Sequence, residues 1–266
     1  MADFTLRETR AEDYAALSAL WQRCFGDPPE LIEKFFTLLP ELGRGVTAVY
    51  QGSAVGAAYA LTGLELLPDR KGCGYIYAVA VDESCRGLGI GGELSIAAAE
   101  AARKAGAEMI CTLPAEESLY DWYEKLIGVK CALRRKGLRC EAAEGECREI
   151  SAAEYAARRE ELLGGKPHIR FPAAYLSFQR ELCKCYGGGF FAVCEGIAAA
   201  YPEGDTAKIC ELILPAGAER NAAAAAIAAS LGVNFALGYE PAADGERFMA
   251  SDSALPWDCV WNLALD

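Results

Sequence analysis

The decapeptide RETRAEDYAA at residues 7–16 returns without gaps as REISAAEYAA at residues 148–157. Six of the ten positions are identical, and Asp13 faces Glu154. A second echo follows in the same order: AVYQG (48–52) aligns with AVCEG (192–196), each followed shortly by a tyrosine, Tyr59 and Tyr201. ICELIL (209–214) then stands where IYAVAV (76–81) stood. The offsets of the two echoes, 141 and 144 residues, nearly agree. One architecture present twice accounts for both. This reading sets a first domain over residues 1–140, a join near 141–147 and a second domain over residues 148–266, each of ordinary size.

Hydrophobic spacing and turn chemistry give the first copy an α/β order. TRAE (9–12) is a capping box, and an amphipathic helix follows through Trp21 and Cys24. DPPE (27–30) opens a second helix with proline in its first turn, carrying Leu31, Ile32, Phe35, Phe36 and Leu39. VTAVY and SAVGAAYAL read as strands joined by the turn QG. A loop over 66–73 leads to YIYAVAV, apolar enough for a central strand. A helix is predicted from about residue 90 to 104, then the strand EMICTL, the helix ESLYDWYEKL and a last strand, VKCALRR.

Charge and cysteine usage exclude several functions. The formal net charge is −12, which argues against a nucleic-acid partner needing a basic face. Residues 1–140 carry −3 and residues 141–266 carry −9, an imbalance that suits a cationic acceptor or a solvated surface. The twelve cysteines form no CxxC, and the one histidine, His168, lies in GKPHIRFP, read as a loop. No metal site is expected, and the thiols read as reduced and cytoplasmic. The N-terminus lacks an apolar signal core, and no run approaches the ~20 apolar residues of a membrane span. Oligomeric state is left open by the letters.

The stretch VDESCRGLGIGGEL (81–94) places Gly87, Gly89, Gly91 and Gly92 between the apolar strand and an alanine-rich helix. Two motifs fit. Gly87, Gly89 and Gly92 satisfy GxGxxG, a dinucleotide fingerprint, with Glu108 near the distance of a ribose-binding acid. Against it, a hairpin precedes the strand, and Asp82 to Arg86 make the turn long. The other motif is RxxGxG: Arg86, Gly89 and Gly91. On this motif, with YIYAVAVDESCRGLGIGGELSIAAAEAARKAGAEMI and SLYDWYEKLIGV, the chain resembles the GNAT acyltransferases over most of residues 3–135. The tandem arrangement is similar to members with a degenerate second GNAT-like half.

The resemblance implies two tandem GNAT-like domains, each a mostly antiparallel mixed sheet flanked by helices. It implies acetyl-coenzyme A as co-substrate. Main-chain groups of Val79, Ala80 and Val81 would pair with its pantetheine arm. Arg86, Gly87, Leu88, Gly89, Ile90, Gly91 and Gly92 would cup its pyrophosphate, as successive N–H groups and a helix start suit an anion. Tyr123 falls on the family's acid position, although its helical spacing with Leu119, Trp122 and Leu126 equally suits core packing. Where some relatives carry a glutamate base, this chain has Cys73 and Gly74. Tyr75 and Tyr77 are alternatives, as proton relays through water or as packing. The terminal Asp266 is another, since some tandem relatives bring their chain end into the first domain's site. CFGD (24–27) would wall the acceptor pocket, with Phe25 expected in a helix–helix core. Cys85 beside Arg86 lacks a base to activate it.

The activity implied is transfer of an acetyl or short acyl group to a primary amine of a small molecule or peptide by direct attack in a ternary complex. The rivals are a non-catalytic acyl-CoA-binding sensor and a dinucleotide-dependent oxidoreductase. The second copy reads PAGAERNAAAAAIAASLG after its strand, with Gly217 alone before Gly232, and has no counterpart of SLYDWYEKL. It reads as a scaffold that kept the fold and lost the site.

Overall fold

The structure is a computed structural model and describes residues 3–265. The chain divides into two compact units: Met1–Ala132 with Arg247–Leu255, and Leu133–Glu246 with Pro256–Asp266.

The first unit opens with β1 (Phe4–Glu8), a 3-10 turn (Ala11–Asp13), α1 (Tyr14–Phe25) and α2 (Pro29–Leu42). The cap before α1 is not the one TRAE predicts. The Asp13 carboxylate accepts from the Arg10 N–H at 2.8 Å, while the Thr9 hydroxyl is engaged with Thr47 at 2.8 Å. Asp13 also takes a bidentate ion pair from Arg7, at 2.6 and 2.7 Å, and offers a stronger acceptor than a hydroxyl. In α2 the buried Leu31, Ile32, Phe35, Phe36, Leu39 and Leu42 fall on one helical stripe, with Pro29 in the first turn. The hairpin β2 (Gly43–Tyr50) and β3 (Ser53–Leu67) follows, then β4 (Lys71–Val81). The loop expected over 66–73 is only a tight turn, because Leu64↔Cys73 to Leu66↔Lys71 continue the ladder. α3 (Ile90–Lys104), β5 (Met109–Thr112) and α4 (Glu117–Ile127) match the elements predicted there.

Strand alternation sorts the helices onto two faces. Tyr59, Tyr75 and Tyr77 carry their rings to the α1–α2 side, where Trp21 and Phe35 meet Tyr59 at 5.6 and 4.8 Å. Ala58, Ala60 and Ile76 point the other way, into a core with Ile90, Leu94 and Ala98 of α3 and Tyr120 and Tyr123 of α4.

The second unit runs β6 (Cys131–Glu141), β7 (Cys147–Ile150), α5 (Ala152–Leu163), β8 (His168–Arg170), α6 (Ala173–Cys185), β9 (Gly189–Val193), β10 (Gly196–Glu203), β11 (Thr206–Ile213), α7 (Arg220–Ser230) and β12 (Phe235–Pro241). Its strands stand in the order β6-β12-β11-β10-β9-β7, antiparallel except for β11 with β12. With β13 (Glu246–Ser251), the first unit has the matching order β1-β2-β3-β4-β5-β13, antiparallel except for β4 with β5. The repeated decapeptide makes one contact twice: Arg148 pairs with Glu154 at 2.5 Å, six residues on, as Arg7 does with Asp13.

The sixth strand of each set comes from an unexpected part of the chain. VKCALRR, read as the last strand of the first copy, supplies β6 beside β12. Residues 247–255 return instead to the first unit, where Ala250 and Ser251 pair with Thr112 and Cys111. The segment 141–147 therefore lies wholly inside the second unit. No helix among the described residues is long and apolar enough to cross a membrane.

Candidate active site

β4 changes neighbours halfway along. Its parallel pairing with β5 runs from Cys73↔Met109 to Ile76↔Thr112 and stops. The Thr112 hydroxyl makes the last link, donating to the Ile76 carbonyl at 3.1 Å. Past that point no described strand lies along this edge of β4, so residues 79–81 have no strand neighbour on that side. On the other edge β4 stays paired to β3 as far as Gly56↔Val81, with a register shift between Tyr77 and Ala80. Ala78 sits in that bulge at φ +47°, a left-handed conformation uncommon for alanine. The bulge re-aims the strand where β5 leaves it.

The loop after β4 is firmly built. The Asp82 N–H donates to Val55 at 2.8 Å, and its carboxylate accepts from the Ser84 hydroxyl at 2.6 Å and from Arg23 at 2.8 Å. Hydrogen bonds from Ser84, then Arg23, hold the Asp82 carboxyl below the usual carboxylate range. Cys85 is buried beneath the turn, while Arg86, Gly87, Leu88 and Gly89 are exposed. Gly87 and Gly89 adopt φ +81° and +82°, which a side chain would resist, and a Cβ on either meets nothing within 4 Å. Gly92 approaches Leu126 of α4, where a Cβ would lie at 3.4 Å. The N–H groups of Ile90, Gly91 and Gly92 head α3 and have no acceptor within the helix. Three N–H groups at the positive end of a fifteen-residue helix, with Arg86 beside them in the chain, are a group of donors that could hold an anion.

Behind this loop lies a buried cluster of three hydroxyls. Tyr123 is 7 % exposed, and its phenol hydrogen-bonds to Ser95 and Thr112. Ser95 donates its proton to the Gly91 carbonyl at 2.8 Å, and Thr112 gives its own to Ile76. Both oxygens are left to accept, and the phenol has one proton, which it can give to either of them. Burial pushes the phenol up, so it keeps its proton at neutral pH. α4 is fixed further by Tyr120, whose hydroxyl donates to the Phe248 carbonyl at 2.5 Å. Ile127 is the last helical residue before Gly128.

Other residues singled out in the sequence fall elsewhere. Cys73 is buried, which pushes its thiol up to about 12, and a Cβ on Gly74 would lie 2.5 Å from that of Ala102. Neither position has a base or room for one. Tyr75 is buried, and Tyr77 is half-buried against Trp21 and Phe35. Phe25 is not in the core: it is 46 % exposed, because α1 ends there and the chain turns at Gly26. His168 is not in an open loop; it is buried in β8, with Nδ1 2.8 Å from the Lys166 carbonyl. Asp266 lies outside the described residues. The approach to it is held in the second unit, where Tyr175 donates to the Leu263 carbonyl and the Leu265 N–H donates to Gln179. Ser95 and Thr112 escaped sequence reasoning; the available signal was a lone hydroxyl in an apolar helix and another ending an apolar strand.

Among its described residues the second unit lacks these features. α7 is entered through PAGAE, with Glu219 at its cap and Gly217 as the one glycine. Where ICELIL aligns with IYAVAV, Glu211 falls on Ala78, and it is fully buried in hydrogen bonds from Tyr155 (2.6 Å) and Arg159 (2.8 Å).

Residues 6–129 match the sequence profile of the acetyltransferase (GNAT) family. No curated protein sequence matches the chain. A GCN5-related N-acetyltransferase from Kribbella flavida is 17 % identical, with 94 % of this chain and 71 % of that one covered at a TM-score of 0.66. A conserved Enterococcus faecalis protein of unknown function is 13 % identical, covering 94 % and 72 % at 0.72. An acetyltransferase candidate from Pyrococcus horikoshii is 15 % identical, covering 97 % and 96 % at 0.62. At these identities the likeness is one of fold.

Proposed function

We propose, from the match of residues 6–129 to the acetyltransferase (GNAT) family, that the first unit transfers an acetyl or short acyl group from acetyl-coenzyme A to a primary amine. The observation that carries this reading is the junction at β4. The strand loses its neighbour after Ile76, bulges at Ala78 and leads straight into the left-handed glycines that open α3. Such a junction offers an anion seat and an unpaired strand edge in line, which suits a pyrophosphate with an amide-bearing arm.

In this reading Arg86 and the N–H groups at the head of α3 hold the pyrophosphate. Main-chain groups of Val79, Ala80 and Val81 take the pantetheine, and the Val79 N–H meets the charge that develops on the carbonyl oxygen. The neutral amine attacks the thioester carbon, the C–S bond breaks, and Tyr123 gives its proton to the sulfur. The second unit has no comparable seat, and its buried Arg159–Glu211 pair fills the corresponding interior. We therefore assign the chemistry to the first unit alone.

Calorimetry with acetyl-coenzyme A tests the seat: the wild-type chain binds it and does not bind NAD. Arg86→Ala is expected to weaken binding about tenfold, the scale of one charge-assisted contact. Mass detection of acetylated product across a panel of amines tests the chemistry. A second reading, a non-catalytic acyl-CoA sensor, is favoured by the Tyr123 hydroxyl being already engaged with Ser95 and Thr112. Binding without turnover of any amine supports that reading instead.

A further inference from the structure

The second unit carries two thiols at one strand end that acetyl transfer does not use. β7 is a four-residue strand, the last in its strand order, paired to β9. The register sets Cys147 against Val193, one residue short of Cys194. With strands about 4.8 Å apart and a rise of about 3.4 Å per residue, positions one step off register have Cα atoms about 6 Å apart, inside the range a disulfide spans. Spacing alone would not bring the sulfurs together, because successive side chains along a strand point to opposite faces. The backbone corrects this. Cys194 sits at φ +46° and Glu195 at φ +64°, the two residues of the turn joining β9 to β10. Leaving the strand conformation there re-aims the Cys194 side chain. Both Cys147 and Cys194 pack against one core, which includes Ala223, Ala226 and Ile227 of α7.

Turn chemistry does not account for the cysteine. A two-residue hairpin turn with both residues left-handed favours Asn, Asp or Gly, and its counterpart in the first unit is Gln51–Gly52, at φ +50° and +80°. Burial pushes the Cys147 thiol up, a hydrogen bond with Ser230 at the end of α7 pulls part of that back, and Cys194 adds to the rise. The two sulfurs are thus near enough to oppose each other's ionisation. Both residues are half-buried, and both line one cavity of about 460 Å³ with Arg148, Arg158 and Val193. A small solute reaches the pair through that cavity.

We infer that Cys147 and Cys194 form a reversible disulfide, with hydrogen peroxide as the oxidant, that fastens the edge strand β7 to the β9–β10 turn. One sulfur, as its thiolate, attacks the peroxide; the O–O bond breaks, a sulfenic acid forms and water leaves. The other thiolate displaces the hydroxyl from the sulfenic sulfur, the S–S bond forms and a second water leaves. The two thiols give up two electrons and two protons, and one peroxide takes them up. A dithiol reductant reverses the bridge by exchange.

The experiment exposes the reduced, folded full chain to a small excess of hydrogen peroxide, caps the remaining thiols with N-ethylmaleimide and sequences tryptic peptides by fragment-ion mass spectrometry. Sequencing is needed because no Lys or Arg separates Cys140 from Cys147, or Cys185 from Cys194. The expected result is a chain lighter by two hydrogens, with Cys147 joined to Cys194 at least about tenfold faster than any other pair forms, and full reversal by dithiothreitol. Cys147→Ser is expected to abolish the bridge and leave Cys194 as a sulfenic acid that dimedone traps; Cys194→Ser is the mirror test. Recovery of both residues as capped thiols in the wild-type chain overturns the inference. So does a bridge from either one to a different partner, Cys140 above all, which packs on the same core. A Cys147–Cys194 bridge that appears only in urea overturns it as well. The wild-type map decides the matter even where a variant fails to fold, and no outcome bears on acetyl transfer.

Discussion

At the scale of single residues, Tyr123 is where structure and chemistry meet most closely. With the protons of Ser95 and Thr112 committed to carbonyls, its phenol has their oxygens to donate to, and in the proposed reaction that proton goes to sulfur instead. Tyr123→Phe is expected to lower kcat about 100-fold, within the usual range for a general acid, with the acetyl-coenzyme A Kd unchanged. Thr112→Val strips the Ile76 carbonyl of its side-chain donor and should cost about 1–2 kcal/mol in urea unfolding, which Thr112→Ser recovers. Asp13 tests a different link. Arg7 holds its carboxyl below the usual carboxylate range, so the pair favours the folded state above the ordinary pKa of about 4. That contribution is lost as pH falls through the depressed folded value. Asp13→Asn should therefore destabilise by about 2 kcal/mol at pH 7, with the gap to wild type narrowing in acid unfolding curves.

At the scale of elements, the glycines at the start of α3 differ in what they require. Gly89 caps the helix at φ +82° with open space above it, whereas a Cβ at Gly92 would make ordinary contact with Leu126 of α4. Gly89→Ala should cost about 1–2 kcal/mol from the left-handed backbone and weaken acetyl-coenzyme A binding, both readable by thermal shift with and without ligand. These elements were legible in the sequence because periodicity and glycine placement act locally. The helix read from about residue 90 to 104 is α3. Less legible were features set by competition between distant groups. The capping of α1 depended on whether Thr9 met Thr47, 38 residues away. The exposure of Phe25 depended on where α1 stops, and the burial of His168 on a parallel bridge to Val260. The hydroxyl cluster joins α3, β5 and α4, and no spacing rule reports such a meeting.

At the scale of the whole molecule, the repeat announces two like folds, but the chain divides them differently from its letters. Residues 247–255 complete the first unit: Asp252 pairs with Arg103, Arg247 with Glu117 at 2.5 Å, and Phe248 takes the Tyr120 hydroxyl. A chain ending at residue 140 keeps the whole glycine loop yet lacks all of these partners. It is expected to melt without a cooperative transition in circular dichroism and to lose acetyl-coenzyme A binding. Full cooperativity and wild-type affinity from that fragment would show that β13 is dispensable. The second unit repeats the first unit's strand order without the glycine-led helix start proposed to hold the anion, so substitutions around Gly217 should leave acetyl-coenzyme A affinity unchanged.

The returning strand also governs the order of birth. A ribosome that has released residue 132 must still make residues 133–246 before β5 can acquire its outer neighbour. At roughly 5–20 residues per second that interval lasts on the order of 10 s, and for all of it the nascent amino-terminal half carries an unsealed strand margin. Sites of translational pausing and holdase capture are therefore expected within that stretch of the message.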